Sequence, residues 1–241
     1  DKPSPYLLES ALRERPVDWL ASIDASRPAL PKPKSPFPYQ QTIIDDVVSG
    51  FHNANRGKVI MACGTGKALV GLWSAEGVAS QRSLVLVPSL SLVDQVSREW
   101  LENASTQFKS LFVCSDASVA SDAFVGNVEE LGVRVTTDPE QIKDFLNGDG
   151  RRVVFATYQS SPRVAEAQAI GAPRFDLTIA DEAHHCTGGK VESHFAIVLD
   201  EGRLRSDKRL FMTATPRTIS KRIKDQAGDL DLEIASMDDD G

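Results

Sequence analysis

The sequence predicts an α/β protein with a doubly wound, mostly parallel sheet flanked by helices. Short, nearly continuous apolar runs are typical of parallel strands that are buried on both faces. Six such runs occur, at residues 59–62, 84–87, 111–114, 153–156, 177–180 and 210–212. Helical stretches lie between or beside them, at residues 37–50, 68–73, 91–101, 139–146, 162–169 and 192–199. This alternation of strands and helices indicates the fold class.

The composition is that of an ordinary globular domain. Of the 241 residues, 41% are hydrophobic and 25% are charged. The chain has neither an apolar run of about 18 residues, which a membrane span needs, nor a secretory signal. Three cysteines at unrelated spacings favour a reduced, cytoplasmic location. The net charge of -7 does not indicate nucleic-acid binding, but local fields from a few loops could still attract a polyanion.

The distribution of proline divides the chain. Eight of the 13 prolines fall within the first 38 residues. The apolar residues of 7–12 and 16–23 predict two short amphipathic helices. The prolines of residues 28–38 predict an extended linker. We therefore interpret 1–35 as an N-terminal connector, 36–225 as the main lobe and 226–241 as an acidic tail.

The stretch 58–68 organises the chain because it combines a strand, a glycine-rich turn and the start of a helix. This is the layout of a phosphate-binding loop. Gly64 and Gly66 permit positive φ angles, and the helix N-terminus and Lys67 supply positive charge for phosphates. An ordinary glycine-rich turn is the alternative, which a second motif would have to exclude.

Two positions depart from the usual phosphate-loop pattern. The pattern has glycine where this chain has Met61, and serine or threonine where it has Ala68. The first departure is mild, since Gly64 and Gly66 still form the turn. The second removes a hydroxyl that would bind Mg²⁺, so we expect a phosphate site with one metal ligand fewer.

A second motif follows the apolar run 177–180. Asp181 and Glu182 come directly after this strand, and open α/β sheets bind ligands at the carboxyl ends of their strands. Asp181 is placed to hold Mg²⁺, and Glu182 to orient and deprotonate an attacking water. Two adjacent carboxylates beside an apolar strand are costly without a cation. The alternative is a plain cap on the next helix.

Residues 37–40 open the first predicted helix with polar and aromatic groups. The amide of Gln40 offers a donor and an acceptor that match the edge of adenine, and Phe37 could stack on the ring. The alternative is an ordinary helix start whose aromatic residue lies in the core.

The order of these motifs resembles that of superfamily 2 helicases of the DEAH kind. The stretches similar to motifs I, II and III are Gly64-Thr65-Gly66-Lys67, Asp181-Glu182-Ala183-His184 and Thr213-Ala214-Thr215-Pro216-Arg217. Residues 37–40 are similar to the adenine-reading Q motif, 87–92 to motif Ia, and 156–160 to a later strand-contacting motif. The likeness covers about 36–225, the first RecA-like lobe. The amino-acid sequences of the glycine loop and of motif Ia are similar to those of bacterial restriction-system helicases and translocases.

The resemblance implies ATP and Mg²⁺ as cofactors and assigns a role to each motif. ATP would contact Phe37, Gln40, Gly64, Thr65, Gly66, Lys67 and Ala68. Asp181 would bind the metal and Glu182 would be the general base. His184 would sense the γ-phosphate and bond towards Thr213 or Thr215. The sugar-phosphate backbone, rather than the bases, would be touched by Pro88, Ser89, Thr157 and Ser160.

The resemblance also implies partners. It favours DNA over RNA, a second RecA-like lobe that carries an arginine finger, and an upstream nuclease domain in a restriction system. The sequence thus predicts the ATP-binding lobe of a DNA helicase or translocase that couples ATP hydrolysis to movement. Without the second lobe, we expect weak nucleotide binding and poor hydrolysis. The alternatives are a catalytically impaired, nucleotide-responsive DNA-docking module and, less favoured by the motif order, a small-molecule kinase.

Two further clusters are less informative. The spacing of His184, His185, Cys186 and His194 matches no zinc-binding pattern. A basic cluster forms either a solvated surface or an edge of the nucleic-acid track; its members are Arg203, Arg205, Lys208 and Arg209.

Overall fold

Seven parallel strands form the central sheet of the protein. The computed structural model describes residues 33–114, 135–183, 188–189, 196–214 and 234–235. The strands of the sheet are β1 (Arg56–Ile60), β2 (Arg82–Val87), β3 (Lys109–Val113), β4 (Val135–Thr136), β5 (Arg152–Thr157), β6 (Phe175–Ala180) and β8 (Ser206–Thr213). All six predicted strands are confirmed, and β4 is an additional strand that the apolar pattern did not predict. Two short strands, β7 (Gly188–Gly189) and β9 (Ile234–Ala235), form a separate antiparallel pair.

Within the described ranges, five α-helices accompany the sheet: α1 (Pro38–Gly50), α2 (Lys67–Gly77), α3 (Leu90–Asn103), α4 (Pro139–Asn147) and α5 (Ser161–Ala169). Their starts follow from local chemistry. The Oγ of Ser89 accepts a hydrogen bond from the N–H of Leu92 at the start of α3. The carboxylate of Asp138 caps α4, and Pro139 occupies its first position.

The predicted helix over 192–199 is wrong in its described part, because Ala196–Leu199 forms a 3₁₀ helix. Arginine side chains bond the carbonyls of the last two residues of this turn. Arg209 Nε donates to the carbonyl of Val198, and Arg56 Nη2 donates to that of Leu199. Predictions about residues 1–32, including the two amphipathic helices, lie outside the described residues.

The helices cover both faces of the sheet, as a doubly wound fold requires. In β5, Val154 and Ala156 join the hydrophobic cluster under α4 and α5, while Val153 and Phe155 join the cluster under α1, α2 and α3. Successive strand residues point to opposite faces, so a continuous apolar run supplies both cores. No helix in the described part of the chain is long and apolar enough to span a membrane.

The strand order is β1-β8-β6-β2-β5-β3-β4. Since all neighbouring pairs are parallel, the carboxyl ends of the strands share one edge of the sheet. The carboxyl ends of β1, β8 and β6, where the three helicase-like motifs begin, therefore lie side by side. The loops after β2 and β5, predicted to face nucleic acid, come next along the same edge.

Candidate nucleotide-binding site

The glycine loop, residues 61–67, connects β1 to the N-terminus of α2. Gly64 and Gly66 adopt φ angles of 77° and 82°, in the left-handed region that favours glycine. A Cβ at Gly66 would also lie 2.6 Å from Nε2 of Gln40. The positive φ angle therefore favours glycine at position 66, as the phosphate-loop pattern predicts, and any larger residue would also have to displace the amide of Gln40.

Hydrogen bonds to neighbouring elements fix the shape of the glycine loop. The carbonyl of Thr65 accepts bonds from Nε2 of Gln40 at 2.9 Å and from the hydroxyl of Tyr39 at 3.0 Å. The N–H of Met61 donates to the carbonyl of Thr213 at 3.0 Å. Helix α1 and strand β8 thus hold the two ends of the loop.

The loop and the carboxylate pair meet through an ion pair. Nζ of Lys67 lies 3.0 Å from Oε1 of Glu182, and the two side chains are only 10% and 22% exposed. An ammonium group in this place, beside backbone N–H groups at a helix N-terminus, can bind phosphate oxygens. A phosphate that took over Lys67 would leave Glu182 free to accept a proton from water.

Asp181, the residue before Glu182, lies at the same carboxyl edge of the sheet. Burial raises the pKa of its carboxyl to about 6; the charge of Glu182 adds to this, while the hydrogen bond from the Glu182 N–H and the charge of Lys67 oppose it. A divalent cation would compensate the buried charge, so Asp181 fits the role of a Mg²⁺ ligand. Ala68 contributes no oxygen. The described residues contain no cluster of three or more metal-binding side chains, so phosphates and water would have to complete the coordination of Mg²⁺.

On the adenine side, the alternative that the aromatic residue lies in the core is wrong, because Phe37 is 63% exposed. Its ring stacks on that of Tyr39, with centroids 6.0 Å apart, and its stacking on adenine stays a prediction. Gln40 is buried, and its Oε1 accepts the N–H of Phe37 while its Nε2 bonds the glycine loop. A primary amide has a second N–H and a second lone pair, so adenine recognition by Gln40 stays a prediction. Sequence analysis missed Tyr39, although it adjoins Gln40.

The hydroxyls predicted to touch nucleic acid are less accessible than expected. Thr157 and Ser160 are buried, and Oγ1 of Thr157 donates to Oγ of Ser160 at 3.1 Å. Between them, Gln159 is exposed. Pro88 and Ser89 are half-buried at the end of β2. Contact of these four residues with DNA stays a prediction, and Gln159 is an exposed candidate that the motif comparison overlooked.

Three groups of predicted residues remain: the coupling threonines, the histidines with Cys186, and the basic cluster. Thr213 is buried beside Ile60 at the end of β8, next to the start of the glycine loop. The other coupling and metal candidates lie outside the described residues: His184, His185, Cys186, His194 and Thr215. In the basic cluster, Arg209 is neither a solvated surface residue nor part of an open track, because it is buried and bonds the carbonyls of Val198 and Leu204.

The sheet, its helices and the position of the site define the fold class as the RecA-like lobe of helicases. The helicase domain of Hef from Pyrococcus furiosus has this fold, with a TM-score of 0.51 and 18% identity over 88% of this chain and 38% of that chain. The chain belongs to the family described as "Type III restriction enzyme, res subunit", which matches residues 33–218.

Two further proteins resemble this chain in sequence or structure. The chain is 30% identical over 179 residues to a protein of African swine fever virus described as "Probable helicase A859L", covering 74% of this chain and 19% of the viral protein. The structure of the ATP-dependent Type ISP restriction-modification enzyme LlaBIII bound to DNA is similar with a TM-score of 0.67 and 31% identity, over 86% of this chain and 15% of that enzyme. The chain therefore spans less than a fifth of either relative.

Proposed function

We propose that this lobe binds ATP with Mg²⁺ and, in a longer protein, couples ATP hydrolysis to movement along DNA within a restriction-modification system. One observation carries the proposal: Lys67 and Glu182, from motifs far apart in the sequence, meet at 3.0 Å. Family membership and the likeness to a DNA-bound, ATP-dependent enzyme support the choice of DNA and ATP. A cytoplasmic location, a second RecA-like lobe and an upstream nuclease belong to the same proposal.

The roles divide along the strand edge. Gly64, Gly66 and Lys67 hold the phosphates, Asp181 holds Mg²⁺, and Glu182 orients and deprotonates the attacking water. Mg²⁺ held by Asp181 would supply positive charge against the phosphate oxygens.

The first test is ATP binding by isothermal titration calorimetry, in the presence and absence of Mg²⁺. Lys67→Ala should weaken ATP binding at least tenfold, because it removes the only side-chain charge that the glycine loop itself contributes. Lys109→Ala is the matched control, since Lys109 is exposed at the amino end of β3. Equal affinity of the wild type and Lys67→Ala would overturn the proposed nucleotide site.

Ala68 favours a second candidate, the impaired DNA-docking module. The full-length protein with Ala68→Thr regains the hydroxyl, and Ala68→Val has nearly the same shape without it. If Ala68 disables a motor, DNA-stimulated ATPase should rise at least tenfold with threonine and not with valine. If the lobe only docks, both variants and the wild type should bind ATP and DNA without measurable turnover.

A further inference from the structure

Tyr158 links two segments at the carboxyl edge of the sheet. One follows β5 and is predicted to face nucleic acid, and the other follows β6 and carries Asp181 and Glu182. Tyr158 begins a 3₁₀ turn, Tyr158–Ser160, that directly follows β5 on the predicted nucleic-acid side. Its side chain is fully buried, and its hydroxyl donates a hydrogen bond of 2.7 Å to the backbone carbonyl of Asp181. Strand β2 lies between β5 and β6, so this bond crosses over the end of an intervening strand.

The carbonyl that receives this bond belongs to the peptide between Asp181 and Glu182. The N–H of Asp181 is bonded in turn to the carbonyl of Leu86 at the end of β2. Oδ1 of Asp181 accepts the N–H of Glu182 at 2.9 Å. The two peptides that flank Asp181 are therefore held from the ends of two other strands: the Ala180–Asp181 peptide from β2, and the Asp181–Glu182 peptide from β5 through Tyr158.

Glu182 needs this support because its backbone is strained. Its φ angle is 50°, in the left-handed region that a residue with a Cβ rarely adopts. Such a conformation persists only where the surroundings over-determine it, and it is found at functional sites. In this conformation the carboxylate of Glu182 reaches Nζ of Lys67. The hydroxyl of Tyr158 thus helps to fix the direction of the predicted general base.

Hydrogen bonds hold together the turn at the other end of this link. The hydroxyls of Thr157 and Ser160 bond each other, and Oγ of Ser161 donates to the carbonyl of Tyr158 at 2.7 Å. Gln159 is the exposed residue of this turn. A ligand that displaced the turn through Gln159 would displace Tyr158 with it.

We infer that Tyr158 is a positioning residue that couples occupancy of the nucleic-acid side to the orientation of Glu182. The inference rests on the proposed function and adds a regulatory contact to it. The hydroxyl carries the coupling, while the ring belongs to the buried cluster that also contains Val164 and Ala183. Allosteric coupling is reciprocal, so DNA should change nucleotide affinity by the same factor as nucleotide changes DNA affinity.

The test uses Tyr158→Phe in the full-length protein, which removes the hydroxyl and keeps the ring. Affinity for a labelled DNA duplex is measured with and without a non-hydrolysable ATP analogue and Mg²⁺, and the ratio of the two values is the coupling factor. We expect Tyr158→Phe to bring this factor at least threefold closer to one, with affinity for each ligand alone unchanged within twofold. Ser161→Ala, which loosens the same turn, should act in the same direction.

Thr178→Val is the matched control. It removes a buried hydroxyl from β6 that bonds Ser206, away from the Asp181 peptide. The control should keep the wild-type coupling factor. An equal loss in Thr178→Val, or a loss of affinity for each ligand alone, would assign Tyr158 a structural role and overturn the inference.

Failure of the inference can be separated from failure of the proposed function. If the wild type binds neither the ATP analogue nor DNA, the proposed function is refuted together with the inference. If the wild type binds both but shows a coupling factor of one, or if Tyr158→Phe keeps the wild-type factor, only the inference is refuted.

Discussion

The ammonium group of Lys67 and the carboxylate of Glu182 lie 3.0 Å apart, which joins the loop after β1 to the turn after β6. In this arrangement each group neutralises the charge of the other in a largely buried environment. ATP would exchange this pair for a pair between Lys67 and phosphate. Glu182, the predicted base, would then lose its ion pair with Lys67 and accept a proton from water only when nucleotide is bound.

Glu182→Gln should separate hydrolysis from nucleotide binding. The amide cannot accept a proton from water, so we expect the ATPase rate of the full-length protein to fall at least about 100-fold. ATP affinity should be kept or increased, because glutamine no longer competes for Lys67 by charge. Single-turnover hydrolysis and calorimetry measure the two effects. Glu166→Gln on α5 is the control, since Glu166 is exposed; hydrolysis at the wild-type rate by Glu182→Gln would contradict its role.

Asp181→Asn should stabilise the metal-free chain while it abolishes Mg²⁺-dependent nucleotide binding. Burial raises the pKa of Asp181 from 3.8 to about 6, so the folded state holds this proton more tightly than the unfolded state. The contribution of Asp181 to stability therefore falls as the pH rises from about 4 to 6, and stays low above that range. At pH 7.5 the variant should gain about 1–3 kcal/mol, at about 1.4 kcal/mol per pKa unit.

Urea unfolding with a chelator present, from pH 4.5 to 7.5, measures this difference. The gain should shrink towards pH 4.5, where the native carboxyl of the wild type is already protonated. Asp144→Asn, at an exposed position on α4, should show no such pH-dependent gain. A gain independent of pH would mean that the ionisation of Asp181 is not its source.

Gly66→Ala should damage the glycine loop in two ways. The new Cβ would occupy a backbone with φ of 82° and would lie 2.6 Å from Nε2 of Gln40. We expect ATP affinity to fall at least about tenfold, because the positive φ angle strains alanine and the new Cβ displaces the Gln40 amide from the carbonyl of Thr65. Gly50→Ala, where a Cβ meets no atom within 4 Å, is the control in calorimetry and thermal unfolding.

Arg209→Met should lower stability much more than Arg203→Met. Arg209 is 2% exposed and donates to the carbonyls of Val198 and Leu204 and to the carboxylate of Glu201. Its removal leaves buried carbonyls without donors, which we expect to cost at least about 2 kcal/mol. Arg203 is exposed and should change stability by less than about 0.5 kcal/mol. Equal urea midpoints for the two variants would show that Arg209 is dispensable for the fold.

Most of the elements and the local chemistry of the glycine loop follow from the sequence alone, although β4 and the 3₁₀ helix Ala196–Leu199 do not. Apolar runs such as 153–156 specify buried parallel strands, because alternate residues must cover both faces of the sheet. Gly66 and Lys67 could be assigned from spacing alone, since a tight turn before a helix requires a positive φ angle and local charge. These are properties of short segments, which are set by backbone sterics and local hydrogen bonds.

The tertiary structure alone decided which segments meet. Strand order placed β8 and β6 beside β1 and brought Lys67 to Glu182, and no local pattern encodes that order. Burial also distinguished Thr157, whose hydroxyl is bonded inside the protein, from exposed Gln159 in the same motif. Contacts between distant segments depend on the packing of the whole sheet, so neither the ion pair nor these accessibilities could be derived from sequence spacing.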